Sequence, residues 1–343
     1  MRNGFLFFVF LFFFQAVQAQ QRNFWSAHTA PGLINKHKNT ARLSFPTDFR
    51  LFDVNFDSLR SALLSITGPN AAARKTIVSF PNADGQIEAF ELVEASNFEP
   101  SLQERFPDIR AYSGKSLTDH GATLKISVDP EGVQSMVFRA GRDNEFMEPY
   151  SQDKKIYAVF RSQRRPGVLN WTCSTVEAPL AASINEKVMN SAIMAAGTTD
   201  GKLRTLRLAQ SCNGEYSNYF GATSASQVSL VLAAYNATLT RCNGVYEKDL
   251  AIHLNLIDSS TKVIHYNPST DPYTTMSSWN SQLQSTLTNV IGESNYDIGH
   301  MFGASGGGGN AGCIGCVCTN GSKGSGITSP ADRKSTLLNS SHT

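Results

Sequence analysis

The stretch from Tyr296 to Cys318 limits the possible folds more than any other part of the sequence. It begins with a predicted apolar strand, Ile298–Phe302, and continues through four consecutive glycines, Gly306–Gly309. Because glycine has no side chain, a second backbone can approach such a segment closely. We interpret the stretch as a sheet edge that binds an extended peptide through main-chain hydrogen bonds. The alternative is a flexible glycine loop.

Residues 1–19 are predicted to be a secretory signal peptide. Arg2 precedes a dense apolar run, Phe5–Phe14, and small residues occupy the cleavage positions Val17–Ala19. The apolar run is too short to span a bilayer comfortably, and a retained anchor is the alternative reading. No later segment of the sequence is apolar enough to cross a membrane. We therefore expect a secreted, extracellular protein without a membrane span.

The length and charge of the chain restrict its organisation and its partners. A chain of 343 residues is long enough for about two domains. Its 30 basic and 28 acidic residues give a net charge of +2, which argues against a nucleic-acid partner. The segment Ala178–Gly201 is rich in small and polar residues and is a plausible protease-sensitive linker. We place the domain boundary there and expect a monomer.

The N-terminal half has the pattern of a β-rich domain. Short apolar runs alternate with turn residues such as Asp129-Pro130-Glu131-Gly132, which is typical of hairpins. A sheet of this kind needs a second surface to cover its apolar face. The predicted elements are a helix at Ser58–Ile66 and three strand pairs, Thr76–Phe80 with Ile87–Val93, Thr123–Val128 with Val133–Phe138, and Phe146–Tyr150 with Ile156–Phe160.

The C-terminal half alternates strands with helices. Strands are predicted at Leu203–Ala209 and Leu250–Leu256, before the one at Ile298–Phe302. One amphipathic helix is indicated by apolar residues from Val228 to Leu239, and Asn243-Gly244 is predicted to turn the chain after it. A second amphipathic helix runs from Met276 to Ile291, with Gly292 as its C-cap. This order predicts an α/β layer fold.

Six cysteines in an exported chain predict disulfide bonds. Their connectivity cannot be read from the sequence. Cys212 and Cys242 flank one predicted helix and are a candidate pair, whereas the others leave several pairings open. A zinc or redox role for the Cys-x-x-Cys spacing is the alternative. The disulfide candidates are Cys212, Cys242, Cys313, Cys316 and Cys318, and Cys173 is a further possible partner.

The sequence contains no complete catalytic constellation. It has neither a Gly-x-Ser-x-Gly elbow nor a phosphate-binding Gly-Lys-Ser/Thr after its glycines. His253 lies on the polar side of a predicted strand and is expected at the surface. His300 lies inside the strand before the glycines, where we expect a hydrogen-bonded structural residue. We assign no catalytic residue and no metal ligand.

Several motifs together resemble one family. Residues 203–331 resemble the front half of a secreted, reprolysin-like zinc metallopeptidase of the metzincin clan, in its bacterial form. The segment from Gln20 to Thr199 resembles the propeptide of that family, which covers the enzyme before cleavage. The motifs are Leu206-Arg-Leu-Ala, Cys212-Asn-Gly-Glu-Tyr216, Tyr219-Phe220, Thr270-Asp-Pro-Tyr-Thr274, Tyr296-Asp-Ile-Gly-His300 and Ala311-Gly-Cys-Ile-Gly-Cys-Val-Cys318.

The resemblance implies a fold and a peptide-binding site. The fold would be of the α+β or α/β class, with a β-rich propeptide at residues 20–200 and the N-terminal part of a metzincin-type catalytic domain at residues 201–332. That domain would have a twisted mixed sheet and two amphipathic helices. The glycine region would form an antiparallel edge strand on which an extended peptide or protein substrate pairs. The implied substrate-binding residues are Gly309, Asn310, Ala311 and Gly312.

The resemblance also implies zinc, but the sequence departs from the family where the ligands are expected. A zinc helix, His-Glu-x-x-His-x-x-Gly/Asn-x-x-His, would follow Asp332, with its glutamate as the general base. Residues 333–343 instead contain only His342 and resemble foreign sequence read through at the end of an incomplete gene. We expect a truncation before the zinc helix, no zinc at an active site and no peptide cleavage by this chain. Calcium binding stays open.

Two alternatives to a truncated peptidase precursor follow from the same residues. A natural pseudoenzyme would have the same domains with a short tail. A non-enzymatic secreted binding or adhesion protein would use its β-rich half to bind a partner and its glycine edge to extend the sheet of that partner.

Overall fold

In a computed structural model of the protein, the described residues are 23–29, 48–68, 74–151, 153–162, 201–305 and 308–329. They form a nine-stranded sheet in the N-terminal half and a five-stranded sheet in the C-terminal half. Four predicted features lie outside the described residues, wholly or almost wholly. They are the signal peptide at 1–19, the linker at 178–201 (of which only Gly201 is described), Cys173 and the tail at 333–343.

The nine-stranded sheet is antiparallel throughout, in the order β1-β2-β9-β8-β7-β6-β5-β4-β3. Two short helices, α1 at Phe56–Leu64 and α2 at Pro100–Arg105, accompany it. The strands are β1 Trp25–Ala27, β2 Arg50–Val54, β3 Thr76–Pro81, β4 Ile87–Glu94, β5 Arg110–Ser116, β6 Thr123–Asp129, β7 Gly132–Phe138, β8 Glu145–Pro149 and β9 Ile156–Arg161.

The predicted hairpins of the N-terminal half are present, because alternating apolar residues and turn residues are local signals. The predicted helix at Ser58–Ile66 is α1, whose first turn is capped by the Asn55 side chain, which accepts from the Ser58 N–H at 3.2 Å. Strand β5 was not predicted from its sequence. It is an inner strand, and a Cβ at Gly114 would lie 2.3 Å from the Leu92 side chain, so only glycine fits there.

The five-stranded sheet is mixed, in the order β11-β10-β12-β14-β13. Its neighbouring strands pair in parallel except β13, which is antiparallel to β14. The strands are β10 Arg204–Cys212, β11 Ile252–Leu256, β12 Ile298–Phe302, β13 Gly308–Asn310 and β14 Gly326–Ser329. The helices of this half are α3 Gly214–Tyr219, α4 Val228–Leu250 and α5 Trp279–Val290. The alternation of strands and helices agrees with the predicted layer fold.

The predicted turn at Asn243-Gly244 is wrong, because helix α4 continues through both residues to Leu250. Gly244 lies against the Phe138 ring, where a Cβ would be only 2.7 Å from the ring edge. The Asn243 side chain binds both backbone polar groups of Leu254, its amide donating to the carbonyl at 2.9 Å and its oxygen accepting from the N–H at 2.8 Å. Leu250 is consequently an exposed residue at the end of the helix and not part of strand β11.

The second predicted amphipathic helix is α5, preceded by a 3-10 turn at Met276–Ser278. It buries Trp279, Leu283 and Leu287. Gly292 ends it as predicted, with φ +87° and its N–H donating to the Leu287 carbonyl at 3.0 Å.

The two halves share a hydrophobic core around helix α4. One cluster of buried residues combines side chains of the N-terminal half with side chains of α4 and of the five-stranded sheet. Its N-terminal members are Phe98, Leu102 and Ile109. Helix α4 is buried without interruption from Ala234 to Arg241, more than two turns, so both of its faces are covered.

Candidate functional site

The described end of the glycine stretch, with Asn310, forms strand β13 at one edge of the five-stranded sheet. Gly308 pairs with Ser329, Gly309 with Thr328 and Asn310 with Ile327 of β14. Gly308 has φ +147°, and a Cβ there would lie 3.0 Å from the Met276 methyl group. The position therefore favours glycine. Gly306 and Gly307 lie outside the described residues.

The end of the strand and the chain that follows it are fixed by side chains of helix α5 and of the strand itself. Asn280 donates from Nδ2 to the carbonyls of Asn310 at 3.3 Å and of Ser325 at 2.5 Å. The Asn310 side chain accepts from the Gly312 N–H at 2.7 Å. Gly312 has φ +71°, and a Cβ would lie 2.4 Å from the Ser325 hydroxyl, so glycine is required. These contacts hold β13 in one position against the sheet.

Of the four predicted substrate-binding residues, Gly309 and Asn310 lie in strand β13. Ala311 and Gly312 follow directly after it and are not in a strand. Asn280 was not predicted from the sequence, because a single asparagine in an amphipathic helix has no distinctive local pattern. Its role in this site depends on contacts 30 and 45 residues away in the chain.

The cysteines behind the strand include the one disulfide bond found among the described residues, Cys313–Cys316. Cys318 is exposed and unpaired, with φ +63°, and its N–H donates to the Asp297 carbonyl at 2.8 Å. The suggested pairing of Cys212 with Cys242 does not occur. The Cys212 thiol lies 3.2 Å from the Ser217 hydroxyl. Burial raises the pKa of the Cys212 thiol and that of the Cys242 thiol to about 11.

His300 lies in strand β12 as a hydrogen-bonded residue. Its Nε2 is 3.0 Å from the Thr328 hydroxyl, which connects β12 with β14. Its ring stands edge-on to Phe302, with 5.0 Å between the centroids. Burial lowers the pKa of His300 to about 4, so the ring is neutral near pH 7.

His253 is not the surface residue that its sequence pattern predicts. Its side chain is 13% exposed. Nδ1 lies 2.7 Å from the Glu247 carboxylate, and Nε2 lies 3.2 Å from the Ser96 carbonyl of the N-terminal half. The polar side of strand β11 is thus covered by a segment that precedes it by more than 150 residues.

The described residues do not fit a zinc ion. None of them form a group of three or more His, Cys, Asp or Glu side chains that is arranged to hold a metal. Zinc sites in proteins use three or four such ligands. His300 contacts the Thr328 hydroxyl, and His253 contacts the Glu247 carboxylate. Neither histidine belongs to a group of three such ligands among the described residues. In the same described ranges, no helix is both long and apolar enough to cross a membrane.

Comparison with known proteins identifies the C-terminal half. Residues 202–339 match the sequence model of the reprolysin-like metallo-peptidase family M12B, and this range includes all five strands of the mixed sheet and the glycine edge. None of the curated proteins matches the chain. The part of the chain from residue 202 to residue 339 belongs to the reprolysin-like metallopeptidases of family M12B.

Proposed function

We propose that the chain contains the propeptide, residues 20–200, and the peptide-binding part of the catalytic domain of a secreted zinc-dependent endopeptidase precursor of the reprolysin type. Its substrate is an extended peptide segment that pairs with the main chain of Gly309, Asn310, Ala311 and Gly312. One observation carries the proposal. The glycine stretch forms an edge strand within a domain of a peptidase family.

The shape of this edge supports pairing with a peptide backbone. Strand β13 has no side chains at Gly308 and Gly309, so an incoming backbone meets little steric resistance. An added strand gains main-chain hydrogen bonds whatever its sequence. Because Asn280 and the Asn310–Gly312 contact fix the segment in advance, little conformational entropy is lost when a peptide binds.

Metal chemistry is not assigned to the described residues. Zinc, where a reprolysin-like enzyme binds it, would supply a water molecule activated for peptide hydrolysis. The described residues contain no group that fits the ion, and the sequence contains no His-Glu-x-x-His. Under this proposal, the described residues contribute the peptide-binding edge.

Casein cleavage tests the enzymatic part of the proposal. The chain from Gln20 to Thr343 is incubated with casein and zinc, with and without a chelator. We expect no chelator-sensitive cleavage, because the zinc helix is absent from the sequence. Chelator-sensitive cleavage would contradict this and would require metal ligands among residues outside the described ranges. A chain that neither cleaves casein nor binds its peptides would favour the secreted binding or adhesion protein.

Peptide binding tests the edge strand directly. Fluorescein-labelled casein peptides are titrated with the protein, and binding is followed by fluorescence anisotropy. In Gly309→Val, a branched side chain stands where the peptide backbone approaches, and we expect binding to weaken about tenfold, which corresponds to roughly 1.4 kcal/mol. Lys115→Val places the same side chain on an exposed position of β5 and should leave binding unchanged. Equal affinity for all three proteins would refute the edge as the binding site.

A further inference from the structure

We infer that residues 48–162 are a permanent partner of the reprolysin-like domain and stay bound to it when the chain is cut within residues 163–200. The surface that holds them consists of helix α4 and the edge strand β11. This inference goes beyond the proposed function, since it concerns how the two halves associate and holds whether or not the chain cleaves peptides.

The N-terminal half extends the five-stranded sheet at its β11 edge. Phe98 pairs in parallel with Leu256, the last residue of β11. The Leu256 N–H donates to the Asn97 carbonyl at 2.7 Å, and the Glu99 N–H donates to the Leu256 carbonyl at 2.8 Å. Leu256 is fully buried, so both of its backbone polar groups depend on this segment for their hydrogen bonds. Removing the segment would leave an uncovered strand edge.

Asn97 joins the segment to helix α4. Its side-chain nitrogen donates to the side chains of Asn236 at 2.9 Å and Thr240 at 2.8 Å, and its oxygen accepts from Asn243 at 2.9 Å. All four residues are buried. In addition, the Asn236 amide donates to the Arg110 carbonyl at 2.8 Å. Separation of the halves would break a buried polar network whose members depend on each other for hydrogen bonds.

A buried ion pair connects helix α4 to the nine-stranded sheet. The Arg241 guanidinium donates to Glu148 at 2.7 Å, and the two side chains are only 2% and 1% exposed. Arg241 also donates to Gln134 at 3.1 Å and lies over the Phe146 ring. A buried charge without its partner is strongly destabilising. Separation of the halves would leave Arg241 and Glu148 each without its partner, so the pair favours the associated state.

The apolar part of the contact resembles a domain core and not a transient interface. Phe98 and Leu102 pack in the same cluster as buried residues of β10 and α4. On the opposite side of the helix, Gly244 lies against Phe138. Interfaces between independent domains of one chain resemble transient protein–protein contacts, whereas here one helix is enclosed by both halves within a shared core.

The position of the contact separates it from the glycine edge. In the strand order of the mixed sheet, β11 is one edge, β13 is the other, and three strands lie between them. The described contacts of Asn97 and Phe98 are with the β11 side. A peptide that pairs with β13 therefore does not compete with the bound N-terminal half for the same edge.

Controlled cleavage tests the inference. A recognition sequence for a site-specific endoprotease is inserted between residues 163 and 200 of the full chain, which is folded first and then cut at micromolar concentration. We expect the two fragments to elute together from a size-exclusion column in a one-to-one ratio, and to separate only in denaturant. Separate elution under native conditions would overturn the inference.

Two variants test whether the named surface is responsible. Asn97→Ala removes the centre of the polar network, and we expect the fragments of the cut variant to dissociate at least tenfold faster. Asn289→Ala makes the same change at an exposed position of α5 and should dissociate as the parent does. Circular dichroism of the uncut chains checks that both variants fold.

If Asn97→Ala does not fold, Thr240→Val should still accelerate dissociation several-fold with little change in shape. It removes the hydroxyl that accepts from Asn97 and that donates to the Asn236 carbonyl within the same helix. Fragments that stay together with unchanged rates in all the folded variants would refute the assignment of this surface. These outcomes do not depend on casein cleavage or on peptide binding, so failure of this inference is distinguishable from failure of the proposed function.

Discussion

The two edges of the mixed sheet differ in how they meet another chain segment. The β11 edge is already paired with residues 97–99 at Leu256, and buried side chains such as Asn97 and Asn243 fix that pairing. The β13 edge consists of Gly308, Gly309 and Asn310 and has almost no side chains. Both edges belong to one sheet, so the difference lies in their residues and not in the architecture.

This difference shows how a sheet edge can accept one particular neighbouring strand or strands of many sequences. At β11, apolar and polar side chains on both sides of the strand accept only one neighbour, because a shifted register would leave buried polar groups unsatisfied. At Gly308 and Gly309 of β13, only backbone groups are presented, so the recognition of a neighbouring strand there does not depend on its sequence. A fixed intramolecular partner suits the first kind of edge, and a variable peptide suits the second.

Arg241→Ala should produce the largest change on the β11 side. It removes the guanidinium that neutralises the buried Glu148 carboxylate, and we expect a loss of about 3–5 kcal/mol in the free energy of unfolding. Urea denaturation followed by circular dichroism measures it. Arg142→Ala, which breaks an exposed pair with Asp119, should cost at most about 1 kcal/mol. Equal losses would mean that the buried pair does not hold the halves together.

Gly244→Val tests the close packing of helix α4 against the nine-stranded sheet. Because a Cβ at this position would already be 2.7 Å from the Phe138 ring, we expect valine to cost about 1–3 kcal/mol in stability. Asp249→Val introduces the same side chain at an exposed position of the same helix and should change stability by about 0.5 kcal/mol or less. A variant at Gly244 as stable as the one at Asp249 would show that this contact is loose.

Acid should weaken the glycine side of the sheet before the β11 side. Burial lowers the pKa of His300 to about 4. The unfolded chain therefore binds a proton that the native ring does not, and stability is lost as the pH falls from about 6.5 towards 4. We expect His300 to contribute about 1–2 kcal/mol to the loss between about pH 7.5 and about pH 5. Urea midpoints of the parent and of His300→Gln measure it, and an equal acid loss in both would contradict the prediction.

Glu247 provides the contrast on the β11 side. Although burial opposes ionisation, hydrogen bonds from His253 and Lys125 hold the pKa of Glu247 below its ordinary value of 4.5. The stability that this carboxylate contributes is present above about pH 4.5 and is lost only as the pH falls through its lower folded-state pKa. Glu247→Gln should therefore leave the acid loss between about pH 7.5 and about pH 5 unchanged, and a reduced loss would contradict this.

Much of the fold could be predicted from the sequence because the signals are local. The alternation in Thr123–Asp129 and the spacing of apolar residues in Trp279–Val290 specify a strand and a helix without reference to the rest of the chain. Strand β12 was predicted with the bounds that it has, Ile298–Phe302. Strand β5 was not predicted, because its burial results from the neighbours on both sides and not from its own pattern.

The candidate site could be predicted in part. The absence of side chains at Gly308 and Gly309 indicates a segment that other backbones can approach, and the structure has an edge strand there. The sequence could not indicate that Asn280 and Ser325 fix the end of this strand, because these residues are far apart in the chain and each is common in solvent-exposed positions.

The sequence alone determined the short-range features of this protein: most of its strands and helices, the glycine stretch and the family to which residues 202–339 belong. Three-dimensional packing decided the rest. Asn243-Gly244 has the pattern of a turn, yet it is helical because Phe138 and Leu254 enclose it. The pairing of Arg241 with Glu148 joins residues 93 positions apart. Such contacts depend on which surfaces fold together. Local propensities differ by under about 1 kcal/mol per residue for most residues, so tertiary packing overrides them.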